Sequence, residues 1–351
     1  MLITKKVYTF NELIDNILNM KSENQAGRVL RRVRHSVSFK NEKFDVVCHC
    51  YDSASLPEKV EGINLKQAES LYRQKYGLPF PEEVTMLRER YGLTSHRLSE
   101  ILAMGPNTIK KYERGEIPAP ALGHMILSLY DDHVFAFYLD LAHDSDRLGD
   151  REYESLKRHA VETVASDPCL RVRAFLSSLC PVYERPCDLN GFRYLDFNRL
   201  TAVVSYLGSR MRLTVESLAR ILFYVDFAHY RLTCRSVTGL AYEATPDCGM
   251  RAYQWDTVLG LLSVLRMVCV HESCSKESGY TAGIESVCSI VADEFSDTEK
   301  AVLDEAVKFF GDKKPAEVIA YSMKETLWTK NHDTPDVVSY QPNAFLYEWM
   351  A

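Results

Sequence analysis

The chain has 351 residues, 46% hydrophobic and 26% charged, with a formal net charge of −6 and no low-complexity stretch. This length suits two or three globular domains, each with its own core. No apolar run approaches the roughly 18 residues that cross a bilayer, and the N-terminus lacks the apolar core of a signal peptide. We therefore expect a cytoplasmic protein with no membrane partner, in which most of the 10 cysteines are small buried side chains.

Charge is spread unevenly along the chain. Residues 1–129 hold 19 basic and 15 acidic side chains, whereas residues 130–351 hold 23 basic and 33 acidic ones. Because phosphate groups attract cations and repel anions, the first part can meet a nucleic acid and the second would be repelled by one. The pattern predicts two functions in two parts of the chain.

The first 80 residues are predicted to form a small α+β module. A helix is expected over residues 8–30. Residues 33–51 alternate or carry β-branched side chains around the turn Lys-Asn-Glu-Lys, which predicts a hairpin. Another helix is expected over residues 64–76, followed by a Pro-rich joint.

Residues 81–118 carry the start and stop signals of three short helices. The first is predicted to end at Gly92, and the second to begin after the N-cap Thr94. Pro106 is predicted at the first position of the third helix, where its missing N–H costs no hydrogen bond. The three helices are expected over residues 82–91, 95–103 and 107–113, with a closing helix over 122–129.

The third of these helices is predicted to have an apolar and a polar face. Ile109 and Tyr112 would face inward. On the outer face, an amide near the helix start can bond an adenine edge in two places, and cations can meet phosphate or guanine. The predicted DNA-binding residues are the outer face and the start of the second helix: Asn107, Thr108, Lys110, Lys111, Arg114, Ser95 and His96.

This segment resembles the Xre/Cro-type helix-turn-helix, and more closely that of antitoxins of the MqsA type. The resemblance is carried by Leu87-Arg88-Glu89, Gly92-Leu93-Thr94, Ser99-Glu100-Ile101, Asn107, Lys111-Tyr112-Glu113-Arg114-Gly115 and Pro118. It implies that Asn107 and Lys111 read bases, although a Lys in place of the usual Arg leaves a phosphate contact equally open for Lys111. It also implies a salt bridge between Arg88 and Glu113.

The same family carries an N-terminal zinc module built on two Cys-x-x-Cys pairs. Here only Cys48-His49-Cys50 stands near the corresponding place, and no second pair precedes it. Tetrahedral zinc coordination needs four ligands, so we expect residues 1–80 to be a metal-free, degenerate form of that module.

Residues 131–189 are predicted to form a helical linker or dimerisation region, with a turn-rich boundary near residues 180–191. Beyond it, residues 190–351 resemble the Panacea antitoxin domain. That domain has a Tyr-x-Asp-x-x-His helix, a short Thr-Gly-x-x-Tyr strand, a Pro-containing loop and a Glu-x-x-Trp turn. The matching positions are Tyr224, Asp226, His229, Thr238, Gly239, Tyr242, Pro246, Glu325 and Trp328.

The resemblance implies that the C-terminal half binds and neutralises a protein toxin. An interface of this kind uses aromatic anchors. The predicted toxin-binding residues are therefore aromatic: Tyr242, Tyr253, Trp255 and Trp328. The chain departs from the family in the loop at residues 246–250, which lacks the usual Gly-Pro, and in the helix start at residues 217–220, which lacks a Lys.

No catalytic constellation stands out. Asp226 and His229 could form a catalytic or metal-binding pair, but a His packed on its helix with the Asp as hydrogen-bond partner is the favoured alternative. Cys269 and Cys274 flank His271 and Glu272 in a cluster that fits a helix end equally well. No Gly-rich phosphate loop, Gly-x-Ser-x-Gly or His-Glu-x-x-His occurs. We expect no enzyme, no catalytic residue, no cofactor and no metal.

The predicted fold is mainly α: a small α+β module, an Xre-type helix-turn-helix bundle over residues 81–130, and a helical Panacea-like domain with a short sheet. The predicted function is that of a type II antitoxin that binds operator DNA and a cognate toxin. Because operators are commonly palindromic, a homodimer is expected. The alternative is a stand-alone or phage-type repressor whose C-terminal half dimerises, senses a ligand or acts as a proteolytic adaptor.

Overall fold

The computed structural model describes residues 30–51, 58–166, 168–275, 279–287, 295–333 and 336–341. They form two compact units, one of residues 69–175 and one that joins the described residues up to Ala68 with those from Leu176 onward. The described parts contain 14 α-helices and three two-stranded antiparallel sheets, which confirms the mainly helical prediction. None of these helices has the length and apolar character to span a bilayer. The helix predicted over residues 8–30 lies outside the described residues except for Leu30, which begins a strand. The predicted domain boundaries stay predictions.

The unit of residues 69–175 is built from short helices. They are α1 (Glu58–Tyr76, which enters this unit), α2 (Pro81–Arg90), α3 (Ser95–Ile101), α4 (Thr108–Glu113), α5 (Pro120–Ser128), α6 (Asp132–Asp144), α7 (Asp150–Ser166) and α8 (Pro168–Leu179, which leaves this unit after residue 175). One apolar core runs through α2 to α7 and includes Leu87, Leu98 and Phe135. The ring of Tyr91 stacks on Phe135 at 3.6 Å, and its hydroxyl donates to the Leu129 carbonyl at 2.8 Å. The core therefore includes the segment that follows the three predicted helices.

The three helices expected over residues 82–113 are present, with one correction. Thr94 caps α3 by accepting a hydrogen bond from Arg97 N, as predicted. Asn107 is the N-cap of α4, so Pro106 precedes the cap instead of occupying the first helical position. The reason is the turn before it, in which Thr108 N donates to the Gly105 carbonyl at 2.9 Å.

The predicted N-terminal hairpin is confirmed. Strands β1 (Leu30–Phe39) and β2 (Glu42–Tyr51) pair antiparallel. Lys40 and Asn41 form the turn with φ of 47° and 66°, the backbone of a two-residue type I′ turn. The prediction that this module holds no zinc was based on residues 48–50. Their side chains are outside the part of the chain that the structure describes.

The other unit surrounds one helix. Its further elements are α9 (Phe197–Gly208), α10 (Val215–Thr233), β3 (Tyr242–Thr245), β4 (Gly249–Ala252), α11 (Trp255–Val264), β5 (Val268–Ser275), β6 (Gly279–Ser286), α12 (Asp297–Phe310), α13 (Pro315–Ser322) and α14 (Thr326–Asn331). Helix α10 was predicted to be amphipathic, but every residue from 217 to 230 is buried. Helices α12 and α13 and strand β4 pack around it, so it has no solvent face.

A second correction concerns the cluster at residues 269–274. It lies in strand β5, so the helix end considered for it is wrong. Val268 and Val270 alternate with polar residues and pair with β6 opposite Ser286 and Ile284. This alternation is the period of a strand.

Candidate functional site

The polar face of α4 is exposed. Asn107, Lys110, Lys111 and Arg114 are exposed and Thr108 is half-buried, while the inward pair Ile109 and Tyr112 is buried as predicted. On α3, Ser95 is half-buried and His96 is exposed. His96 Nδ1 lies 3.3 Å from the Pro106 carbonyl, which brings the start of α3 beside the turn into α4. The structure thus gathers the seven predicted residues on adjoining elements of one unit.

The start of α4 is capped by a residue for which the sequence suggested no role of this kind. The buried hydroxyl of Ser99 accepts a hydrogen bond from Ile109 N at 3.2 Å and donates to the Ser95 carbonyl at 2.8 Å. The Asn107 side chain makes no capping bond. Because Ser99 satisfies this backbone donor, the Asn107 amide keeps its donors and acceptor for an outside partner.

The salt bridge expected between Arg88 and Glu113 is confirmed at 2.6 Å. This hydrogen bond raises the pKa of the Arg88 guanidinium above its usual value. Arg88 also donates to the Leu93 carbonyl at 3.0 Å, so it ties α2 to α4 and to the turn before α3. The pair is structural.

A second arginine fixes the far end of α4. Arg73 on α1 is 2% exposed and donates to the Gly115 carbonyl at 2.8 Å and to the Pro79 carbonyl. Gly115 has a φ of 105°, a conformation that glycine adopts without strain. The sequence indicated no partner for Arg73, because the carbonyl it reaches lies 42 residues away.

The cationic character of this unit is local. Residues 69–175 hold 14 basic and 17 acidic side chains, so the positive balance of the N-terminal third is not a property of the unit as a whole. Arg90 and Arg97 are neutralised by Asp132 at 2.7 Å and Glu152 at 2.6 Å. Within the described chain, Lys110 and Arg114 have no acidic group within 4.0 Å. Lys111 lies 4.0 Å from Glu116, so the outer face of α4 carries two exposed cations without an ion pair among the described residues, Lys110 and Arg114.

In the other unit, Asp226 on α10 is buried at the centre of a hydrogen-bond network. One carboxylate oxygen accepts from the backbone N–H groups of Val237 and Thr238 at 2.7 and 2.8 Å. The second accepts from the hydroxyls of Thr238 and Tyr242, the latter at 2.6 Å. Burial raises the pKa of Asp226, while these four donors stabilise the carboxylate and lower it. Asp226 thus holds the segment that follows α10.

His229 does not contact Asp226 through a hydrogen bond, so both the pair and the internal partner considered from the sequence are wrong. Its Nδ1 lies 2.7 Å from the Arg235 carbonyl. Burial lowers the pKa of His229 to about 4, because the imidazolium would lose its hydration. The nearby Glu299 accepts from Arg199 and from Arg193, whose charges hold its pKa at about 2 against the opposing effect of burial.

Three more residues of the resemblance stabilise the fold. The Tyr224 hydroxyl donates to Glu325 at 2.9 Å, and both side chains are fully buried. Trp328 Nε1 donates to the Thr245 carbonyl at 2.8 Å, which fixes the turn between β3 and β4. The loop at residues 246–250, which differs in sequence from the family, is also held in place. Arg220 donates two hydrogen bonds to the Cys248 carbonyl, at 3.0 and 2.8 Å.

The four predicted aromatic anchors are not equivalent. Tyr242 is fully buried and Trp255 is 2% exposed, whereas Tyr253 and Trp328 are half-buried. A buried ring offers no surface to a partner, so the structure gives Tyr242 and Trp255 a role in the core instead of the predicted contact. The reason for Tyr242 is its bond to Asp226, which draws its hydroxyl inward.

An exposed apolar patch lies elsewhere in this unit. Val264, at the end of α11, is 75% exposed, and Val287, after β6, is 60% exposed. Val287 N donates to the Met267 carbonyl at 2.9 Å, which places it beside the chain that leaves α11. Hydrogen-bonded and non-hydrogen-bonded residue pairs alternate along an antiparallel ladder. Because Met267 and Val287 are a bonded pair, the backbone groups of Val270 and Glu272 point away from β6 and form the outer edge of β5. In the part of the chain that the structure describes, no backbone group pairs with that edge.

Residues 218–329 match the family model described as Antitoxin SocA-like, Panacea domain. The match lies inside the predicted span of residues 190–351 and confirms a Panacea-like domain there. It includes Asp226 and Tyr242 of the network described above and Glu325, which accepts from Tyr224, and all three are buried. Comparison with curated proteins and with solved structures finds no match.

Proposed function

We propose that this chain is an antitoxin whose Panacea-like domain neutralises a protein toxin by direct binding and whose residues 69–175 bind operator DNA. The match over residues 218–329 is the observation that carries the antitoxin role. The exposed polar face of α4, with Lys110 and Arg114 outside any ion pair of the described residues, supports the DNA-binding role. The experiment that tests both is co-expression with the product of the adjacent gene, followed by purification and binding to the upstream DNA.

The DNA proposal assigns separate tasks to the residues of α4. A major groove, about 12 Å wide, admits a helix whose first residues face the base edges. Asn107 and Thr108 stand at that end of α4, and the Asn107 amide is free to bond an adenine edge. Lys110, Lys111 and Arg114 follow on the exposed face, where they would neutralise phosphates. Ser95 and His96 adjoin the turn into α4 and would contact the backbone.

Asn107→Ala is expected to weaken operator binding by about 1–3 kcal/mol, because the variant loses a two-point contact with a base. The urea midpoint of residues 69–175 is expected to stay unchanged, since the side chain makes no capping bond. Fluorescence anisotropy with the upstream DNA at fixed salt measures the affinity.

Ser99→Ala is the matched control, since it removes the bond that caps α4 and should lower stability by about 1 kcal/mol. Equal operator affinity for the wild type and Asn107→Ala would show that this residue does not read a base.

The toxin proposal places the contact on the surface of the domain, because the residues shared with the family are mostly core. Among the described residues of the matched range, the exposed large hydrophobic side chains are Val264 and Val287. The outer edge of β5 begins beside them and can pair with an extended segment of a partner. Together they would supply an apolar contact and a backbone hydrogen-bonding edge for the toxin.

Val264→Asp is expected to abolish rescue of growth in cells that express the toxin, and to weaken toxin binding at least 10-fold, because a charge would be buried in an apolar contact. The fold is expected to tolerate the change, since the side chain is 75% exposed. Growth curves and isothermal titration with the purified toxin provide the measurements.

Phe137→Asp, at an apolar site of the other unit that is 56% exposed, is the control and should rescue growth like the wild type. Full rescue by Val264→Asp at normal protein level would remove this surface from the proposal. A fall in the cellular amount of the toxin, with no stable complex, would favour the adaptor alternative.

Binding, not catalysis, is also proposed for the C-terminal unit. Asp226 and His229 each have structural partners of their own, and they share no site. Among the residues with described positions, no group of three or more His, Cys, Asp or Glu side chains is arranged to hold a metal ion. Tyr253 and Trp328, both half-buried, remain candidate toxin contacts.

A further inference from the structure

Helix α6 carries a stripe of outward side chains that the core does not use. Its inward face consists of Phe135, Leu139 and Ala142, all buried. On the opposite face, Phe137 is 56% exposed and Leu141 is 42% exposed. These two lie one helical turn apart, so they form one apolar patch in the middle of the helix.

The ends of the stripe carry complementary polar groups, an imidazole and a carboxylate. His133 stands one turn before Phe137, and Asp144, with a side chain 79% exposed, stands one turn after Leu141. Positions 133, 137, 141 and 144 fall within about 80° of one another on a helix of 3.6 residues per turn. From the N-terminal end, the stripe therefore carries an imidazole, an aromatic ring, an aliphatic side chain and a carboxylate.

This order is complementary to itself when the helix is reversed. If two copies of α6 pack antiparallel about a two-fold axis near residue 139, Phe137 of each copy lies against Leu141 of the other. His133 of one copy then meets Asp144 of the other, twice per interface. An isologous contact requires this reciprocity, and antiparallel packing also aligns the helix dipoles favourably.

We infer that the outward face of α6, defined by His133, Phe137, Leu141 and Asp144, is the surface through which two copies of this chain form a homodimer. The occupant is a second copy, because the order of the side chains along the stripe matches its own reverse, with each imidazole N–H placed to donate to the other copy's carboxylate. Lys157 and Asp140 flank the stripe and neutralise each other at 2.7 Å, so they leave the apolar centre without an unpaired charge.

The interface would be small. Helix α6 has 13 residues and is about 20 Å long at 1.5 Å per residue. A contact along one face of so short a helix buries less than the roughly 1,600 Å² of a stable dimer. We therefore expect a reversible dimer at micromolar concentration. A role of the dimer at operator DNA rests on the proposed function. Helix α4 belongs to the same unit as α6, so a dimer would present two copies of α4 to two half-sites.

Sedimentation velocity of the full chain without DNA, from about 1 to 100 μM, tests the inference. The wild type is expected to shift from the mass of one chain towards twice that mass as its concentration rises. Phe137→Asp is expected to sediment as a monomer throughout, with an unchanged far-UV circular dichroism spectrum because the ring is exposed. Val264→Asp, the matched control in the other unit, should dimerise like the wild type.

The pair of His133 and Asp144 gives a sharper test. Asp144→Lys is expected to weaken the dimer at least 5-fold, since it removes the carboxylate that accepts from His133 of the other copy. His133→Glu should do the same, because two carboxylates would then face each other. The double variant His133→Glu with Asp144→Lys restores opposite charges and should recover the wild-type dissociation constant.

A wild type that stays monomeric at 100 μM, a Phe137→Asp variant that still dimerises, or no recovery in the double variant would each overturn the inference. Failure of DNA binding alone would leave it intact, because the readout contains no DNA.

Discussion

Asp226→Ala is expected to lower the free energy of unfolding of the C-terminal unit by about 3–5 kcal/mol, a large part of the usual 5–15 kcal/mol. The carboxylate is the common acceptor for two backbone N–H groups and two hydroxyls, and Ala would leave the N–H groups of Val237 and Thr238 buried without a partner. All three tryptophans of the chain follow residue 190, so tryptophan fluorescence during urea unfolding reports on this unit alone.

Asp226→Asn is the matched control and should cost less than the Ala variant. Its amide oxygen can still accept from the two backbone N–H groups, while the hydroxyls of Thr238 and Tyr242 can turn to accept from the new NH₂ group. If the Ala variant unfolds at the wild-type urea concentration, the network is not what holds the 237–242 segment to α10.

The second large effect is acid destabilisation through His229. The folded protein holds its pKa at about 4, whereas the unfolded chain has the ordinary value near 6.5. Between about pH 6.5 and pH 4 the unfolded state therefore binds a proton at His229 that the folded state does not bind. The stability that the neutral imidazole contributes above pH 6.5 is lost as the pH falls towards 4. At 1.36 kcal/mol per pKa unit the loss reaches about 3 kcal/mol.

The measurement is the difference between the wild type and His229→Asn, because other buried groups titrate as well. Burial raises the pKa of Asp226, which acts in the opposite direction, and the contribution of Glu299 is lost only as the pH falls below about 4.5 towards 2. The advantage of the wild type over His229→Asn in unfolding free energy should shrink by about 3 kcal/mol from pH 7 to pH 4. His271→Asn, an exposed site, should follow the wild type at each pH. A constant difference between wild type and His229→Asn would contradict the expected shift.

Local signals predicted the helices of residues 81–113 well. Thr94 caps α3 because a Thr hydroxyl reaches the third backbone N–H of a helix, and this depends only on neighbours in sequence. The salt bridge between Arg88 and Glu113 was expected only through the resemblance, because 25 residues separate the partners. The start of α4 was misplaced by the Pro106 signal, since Pro also fits the turn before a cap.

The candidate site was predicted less well where long-range contacts decide it. The exposure of Lys110 and Arg114 followed from helical periodicity. The absence of acidic neighbours could not be predicted from the sequence, because Asp132 and Glu152 could have paired with any cation of the unit. The role of Tyr242 was misjudged because an aromatic residue has the same appearance in sequence whether it anchors a partner or bonds a buried carboxylate.

The sequence by itself determined which stretches become helices and hairpins, where α3 begins and which face of α4 is polar, because capping, turn chemistry and periodicity act over a few residues. Only the tertiary structure decided that Asp226 serves Thr238 and Tyr242 instead of His229, that Ser99 caps α4, and that α10 is buried on all sides. Those outcomes depend on groups that the folded chain brings together from distant positions, and burial then makes each unpaired polar group costly enough to select its partner.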